Sequence, residues 1–136
     1  MSKYIKIVLV FLLPLVAFAA KPIEIQELPI VPVVKELSIP ELIQVYATEY
    51  NVSPVLLSKV IECESNFNPK AFHKDDGGVG KHSVGILQFQ ETTFDLWSAR
   101  LGEELDYYSY HDQIKLGAWM FSKGQQNQWT CARKLK

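Results

Sequence analysis

Residues 60 to 69 read Val-Ile-Glu-Cys-Glu-Ser-Asn-Phe-Asn-Pro, which sets Glu62 and Glu64 on the last turn of a helix that Asn and Pro then stop. A carboxyl becomes useful for proton transfer when it is held out of water. Desolvation disfavours the charged form, raises the pKa, and leaves the group able to give a proton to a leaving-group oxygen near neutral pH. The helical period separates the two glutamates. With side chains about 100° apart, Glu64 falls about 20° from Leu57, inside the arc of Leu57, Val60 and Ile61, while Glu62 shares the other side with Val55, Ser58 and Lys59. Glu62 is therefore the solvated carboxylate, paired with Lys59 or simply exposed, and Glu64 is the candidate general acid. The plainer reading of Glu64 is a helix-end carboxylate in water, or one that caps nearby backbone N–H groups.

Other chemistries have less support. His73, His82 and His111 do not have the spacing of a metal-ligand set, so no metal and no cofactor is expected. Neither cysteine has a histidine close in sequence, which argues against a nucleophilic thiol. The net charge of -1 is unlike that of a nucleic-acid binder.

Two cysteines, Cys63 and Cys131, suit an oxidising compartment. A bridge between them would close a loop that the chain-entropy model values at roughly 4 kcal/mol, against two buried free thiols as the alternative. The N-terminus points to the same compartment. Residues 1–20 carry Lys3 and Lys6, an apolar run from Ile7 to Ala20, and the small-residue pattern Ala17-Phe18-Ala19, the three parts of an export signal. The run is shorter than the roughly 20 residues a spanning helix needs, and Pro14 interrupts it. An uncleaved anchor that tethers the chain to a membrane is the alternative.

The 136 residues allow one small domain. Residues 21–37 hold Pro22, Pro29 and Pro32, and read as a tether rather than a helix or central strand. The domain spans 38–136. Pro40 opens a first helix with Leu42, Ile43, Tyr46 and Ala47 on one face and Asn51 as its stop. Ser53 and Pro54 open a second that ends near Ser65. Residues 73–85 contain most of the glycines and form a long loop with room for a short hairpin. A third helix ends at Gly102. A fourth, with Asp112 as its cap and Gly124 as its stop, offers Ile114, Leu116, Ala118 and Trp119 for packing, and a short last helix carries Cys131. The expected fold is mainly α, with one long glycine-rich loop, and such loops are often functional.

Among the rings, Trp97 and Trp129 read as core, while Tyr107, Tyr108 and Tyr110 beside a helix start are candidates to stack on a ligand.

The stretch Glu64-Ser65-Asn66-Phe67-Asn68-Pro69-Lys70-Ala71, followed by the glycine loop and by Ser83-Val84-Gly85-Ile86-Leu87-Gln88-Phe89, resembles the lytic transglycosylase domain of the soluble-lytic-transglycosylase type. The run from Asp112 to Phe121 resembles that family's later helix, and the resemblance covers roughly residues 38 to 134. It implies a lysozyme-like fold that binds peptidoglycan glycan strands, and the chain is expected to be an exported monomer. It also implies that Glu64 is the single catalytic acid, cutting the N-acetylmuramic acid–N-acetylglucosamine bond with a 1,6-anhydro product. Ser65 would be structural, Ser83 would line the cleft, and Gln88 would lie near the acid. The family's Gly-Ala-x-Tyr-Leu stretch falls on Gly117 to Phe121, so Met120 replaces the tyrosine with Trp119 before it, and which ring meets the sugar is left open.

A hydrolytic glycosidase normally needs two carboxylates at a set separation. Asp75 and Asp76 sit in the glycine loop, where turn chemistry accounts for them. Swung over the cleft, either would make a hydrolytic lysozyme. Two further alternatives are a peptidoglycan-binding module without turnover and a structural envelope protein.

Overall fold

The protein is represented by a computed structural model that describes residues 35–135. The expected export signal and residues 21–34 of the tether lie outside the described residues.

Helix α1 (Ile39–Glu49) starts where Ser38 and Glu41 satisfy each other: Glu41 Oε2 accepts from the Ser38 backbone N–H at 2.8 Å and from its hydroxyl at 2.6 Å. These bonds, with Lys35 beside them, hold the Glu41 carboxyl down to about 2. Helix α2 (Pro54–Ser65) is capped by Ser53, whose Oγ accepts from Leu56 N–H at 3.2 Å. It ends abruptly because Asn66 and Phe67 both take left-handed conformations, with φ of 52° and 59°. Asn tolerates that region, whereas Phe pays of order 1–3 kcal/mol for it.

Three two-residue strands follow, paired antiparallel in the order β1 (Phe72–His73), β2 (Ser83–Val84), β3 (Phe89–Gln90). The β1–β2 hairpin spans the glycine loop, as its composition allowed. The third strand is an addition that the sequence did not announce. Helix α3 (Glu91–Leu101) ends on left-handed Gly102. Helix α4 (Tyr110–Ser122) is capped by Ser109, not by Asp112. Ser109 Oγ accepts from the Asp112 N–H, while Asp112 Oδ2 accepts from the Asp106 N–H at 2.9 Å. Asp112 thus sits in the first turn and ties down the preceding loop. A 3-10 turn (Gln126–Gln128) leads to α5 (Thr130–Lys134).

The fold is mainly helical, as expected. Helix α1 packs on α2 and α4, α2 on α5, and α3 on α4 and β3. Leu57, Val60 and Ile61 of α2 are fully buried with Leu42 and Ile43 of α1 and Ile114 and Met120 of α4, each large side chain contributing about 1.5–3 kcal/mol. The segment Gly85–Phe89 runs through this core. Gly117 of α4 lies so close to it that a Cβ there would stand 2.4 Å from Leu87 Cδ1.

Candidate active site

The period that turns Leu57 and Ile61 inward also turns Glu64, about one helical turn past Ile61, the last buried residue of α2. Glu64 is half-buried, whereas Glu62 is exposed and makes no ion pair with Lys59 among the described residues. Glu64 Oε1 accepts from the Cys131 backbone N–H at 3.3 Å. Burial pushes the Glu64 carboxyl above the ordinary 4.5. The Cys131 N–H opposes that rise, the Asp76 charge reinforces it, and His73 and Lys134 oppose it.

Cys131 is present there because its sulfur is bonded to Cys63, the residue before Glu64, with Cα atoms 5.9 Å apart. The bridge fastens α5 against the last turn of α2. Trp129, just ahead of α5, anchors the same junction: its Nε1–H donates to the Leu87 carbonyl at 2.8 Å, and its ring meets Phe89 and Phe121 edge-on.

The opposite wall is the sheet. Register places His73 opposite Ser83 and Ser83 opposite Gln90, so these three form one cross-strand row. All three line a cavity of about 800 Å³ with Glu64, Asp75, Asp76, Gln88, Met120 and Lys134. Ser83 is buried, and its Oγ donates to an Asp76 carboxylate oxygen. Gln90 Nε2 donates to the Asp76 carbonyl at 2.7 Å, which pins the glycine loop to the rim. Gln88 takes a left-handed φ of 51°. Its Nε2 donates to the Gly85 carbonyl at 2.7 Å, and its Oε1 meets His73 Nδ1.

One buried amide holds this wall from behind. Gln113 of α4 accepts from Leu87 N–H at 3.1 Å and donates to the carbonyls of Val84 at 3.1 Å and Tyr107 at 2.7 Å. Gly85 makes room for it: a Cβ there would stand 2.3 Å from Gln113 Nε2, and the φ of 82° disfavours any side chain. Ser65 Oγ, 2.7 Å from the Ile86 carbonyl, joins the end of α2 to the same segment.

Of the residues singled out in the sequence, Glu64, Ser83, Gln88 and Met120 surround one cavity, with Cys63 and Cys131 at its edge. Tyr107 is buried, donates to the Phe89 carbonyl at 2.8 Å, and faces a different groove behind the sheet. Tyr110 lies at the start of α4 with its hydroxyl on Glu36. Trp119 packs edge-on against Trp97. Neither lines the Glu64 cavity. His73, Gln90, Thr93 and Lys134 do line it and were not anticipated. The row His73–Ser83–Gln90 becomes visible only once the strands are paired.

Chemically, the cavity offers one half-buried carboxyl with a raised pKa, faced by amides, a hydroxyl and the exposed carboxylates of Asp75 and Asp76. That set can move a proton at an oxygen of a polar ligand. No curated protein and no solved structure gives a significant match to the chain. The Transglycosylase SLT domain family does, over residues 41–130. That stretch runs from the first turn of α1 to the start of α5 and takes in Glu64 and the whole sheet, so the chain belongs to this family of peptidoglycan-cleaving transglycosylases.

Proposed function

We propose that the protein is a lytic transglycosylase in which Glu64 works alone, first as acid and then as base. The observation that carries this reading is the half-buried Glu64, with Oε1 held by Cys131 N–H and its pKa raised by burial. The protonated carboxyl gives its proton to the oxygen linking N-acetylmuramic acid C1 to N-acetylglucosamine C4. The C1–O bond breaks and the N-acetylglucosamine end leaves as an alcohol. The Glu64 carboxylate then takes the proton of the muramyl 6-hydroxyl as that oxygen bonds to C1, closing a 1,6-anhydro ring and regenerating the acid. No water enters, so no second carboxylate is needed as base.

The surroundings suit these steps. Positive charge develops at C1 in such a reaction, and Asp76, held through its carboxylate by Ser83 and through its carbonyl by Gln90, supplies a fixed negative charge in the cleft. Gln88 and His73, bonded to each other, present polar groups for the sugar hydroxyls. Export through residues 1–20 would deliver the enzyme to the wall, where the Cys63–Cys131 bridge is stable.

A hydrolytic reading has one observation in its favour: Asp75 and Asp76 line the same cavity as Glu64. Digestion of purified peptidoglycan and mass analysis of the released muropeptides separates the two. Products lighter by about 18 Da, one water, than the reducing-end forms are expected. Full-mass reducing ends would overturn the single-acid mechanism and make Asp75 or Asp76 the base.

A further inference from the structure

The sheet has a reverse side. The row Phe72–Val84 alternates with His73–Ser83 and faces a second groove of about 650 Å³, lined also by Pro69, Lys70, Ala71, Lys81, His82 and Tyr108. Its volume falls in the range of ligand sites. Two large rings stand open to solvent at its walls, Phe72 at 58% and Tyr108 at 70% exposure. Each is backed by another ring, Phe72 by His82 at 5.3 Å and Tyr108 by Tyr107 at 5.0 Å, so both platforms are already positioned. The charges at the groove are Lys70 and Lys81 against Glu91 alone. Gln90 lines both this groove and the Glu64 cavity, so the two adjoin across one side chain.

An apolar floor with exposed rings and an excess of cations fits a short peptide with small alkyl side chains and free carboxylates. A muramyl residue in the neighbouring cavity carries such a peptide on its lactyl ether. We propose that the groove behind the sheet, walled by Phe72 and Tyr108 and flanked by Lys70 and Lys81, binds the stem peptide of peptidoglycan. This rests on the glycan-cleaving reading of the Glu64 cavity. The alanyl methyl groups pack against Phe72, Val84 and Tyr108, and the carboxylates pair with the two lysines. The enzyme therefore distinguishes peptide-bearing strands from stripped ones by a surface separate from its acid.

Titrating the isotope-labelled protein with the soluble tripeptide L-Ala-γ-D-Glu-L-Lys tests the site directly. Backbone amide shifts at Phe72, His82 and Tyr108, with Glu64 unmoved, are expected. No shift, or shifts at these positions from a peptide-free chitin oligomer instead, would overturn the proposal. In kinetics, Tyr108→Ala and Lys81→Glu should each lower the ratio of kcat/KM on peptide-bearing strands to kcat/KM on stripped strands by about fivefold. An unchanged ratio overturns it. Wild-type turnover of stripped glycan shows that the Glu64 reading stands even if the groove is empty of peptide. If neither substrate is cut, that reading fails, while the tripeptide titration still decides the groove.

Discussion

Glu64 Oε1 accepts a hydrogen bond from the backbone N–H of Cys131 across 67 residues of sequence, and the sulfur of that same Cys131 is bonded to the residue preceding Glu64. Helix α5 is thus fastened to the end of α2 by a covalent bond and a hydrogen bond on adjacent residues. Oε1 is committed to the protein, while Oε2 has no protein partner among the described residues and is left for the ligand.

Replacing Glu64 by Gln keeps the shape and removes the proton. Glycan cleavage should fall by about 10²–10⁴-fold, the usual range for a positioned acid. Binding of glycan strands, measured by sedimentation with purified wall, should persist. Undiminished cleavage would remove Glu64 from the mechanism.

The same substitution should stabilise the fold in a pH-dependent way. The Glu64 pKa is raised above 4.5 in the folded state, so the folded protein binds that proton more tightly than the unfolded chain does. Its contribution is fully present below the ordinary value and is lost as pH rises through the folded one. Glu64→Gln should therefore raise Tm at pH 7 and give a smaller gain at pH 4. Wild-type activity should decline over the same rise in pH as the acid loses its proton.

The disulfide closes a 68-residue separation, for which chain entropy gives up to roughly 4 kcal/mol. Reduction, or paired Cys63→Ser and Cys131→Ser changes, should lower the urea midpoint accordingly. It should also slow cleavage in protein that is still folded, because α5 supplies the N–H that holds Glu64. A stability loss with full specific activity would mean that α5 stays in place without its covalent link.

Gln113→Leu strands the Leu87 N–H and leaves the Val84 and Tyr107 carbonyls without their donor, at a cost of about 1–3 kcal/mol for the unsatisfied groups. Gly85→Ala should cost at least as much, since its methyl meets the same amide at a φ that favours glycine. Chemical denaturation of both variants checks this; a neutral Gly85→Ala would show that the segment can shift away from α4.

What the sequence shows best is local. The period of α2 separates Glu64 from Glu62 because three buried residues, Leu57, Val60 and Ile61, suffice to define a face. Ser53-Pro54 marks that helix's start for the same reason. The sheet is harder, since two residues per strand are too few for alternation to register, and the row of His73, Ser83 and Gln90 depends on pairing between segments far apart. Ser109 and Asp112 are both good caps, three residues apart. The choice between them turns on the Asp106 N–H, which needs the Asp112 carboxylate. Tyr107 and Gln113 carry polar groups that pass for surface in one dimension, and only their partners, the backbone groups of Phe89, Leu87 and Val84, reveal them as internal.

The Cys63–Cys131 bond also changes what a cut in the chain can do. The glycine loop lies between the two cysteines, and Gly77, Gly78 and Gly80 there are exposed. A protease that nicks this loop opens a ring rather than releasing a piece, because the two halves remain joined through sulfur. Nicked protein should therefore run at full length on a gel without reductant and split into two bands with it.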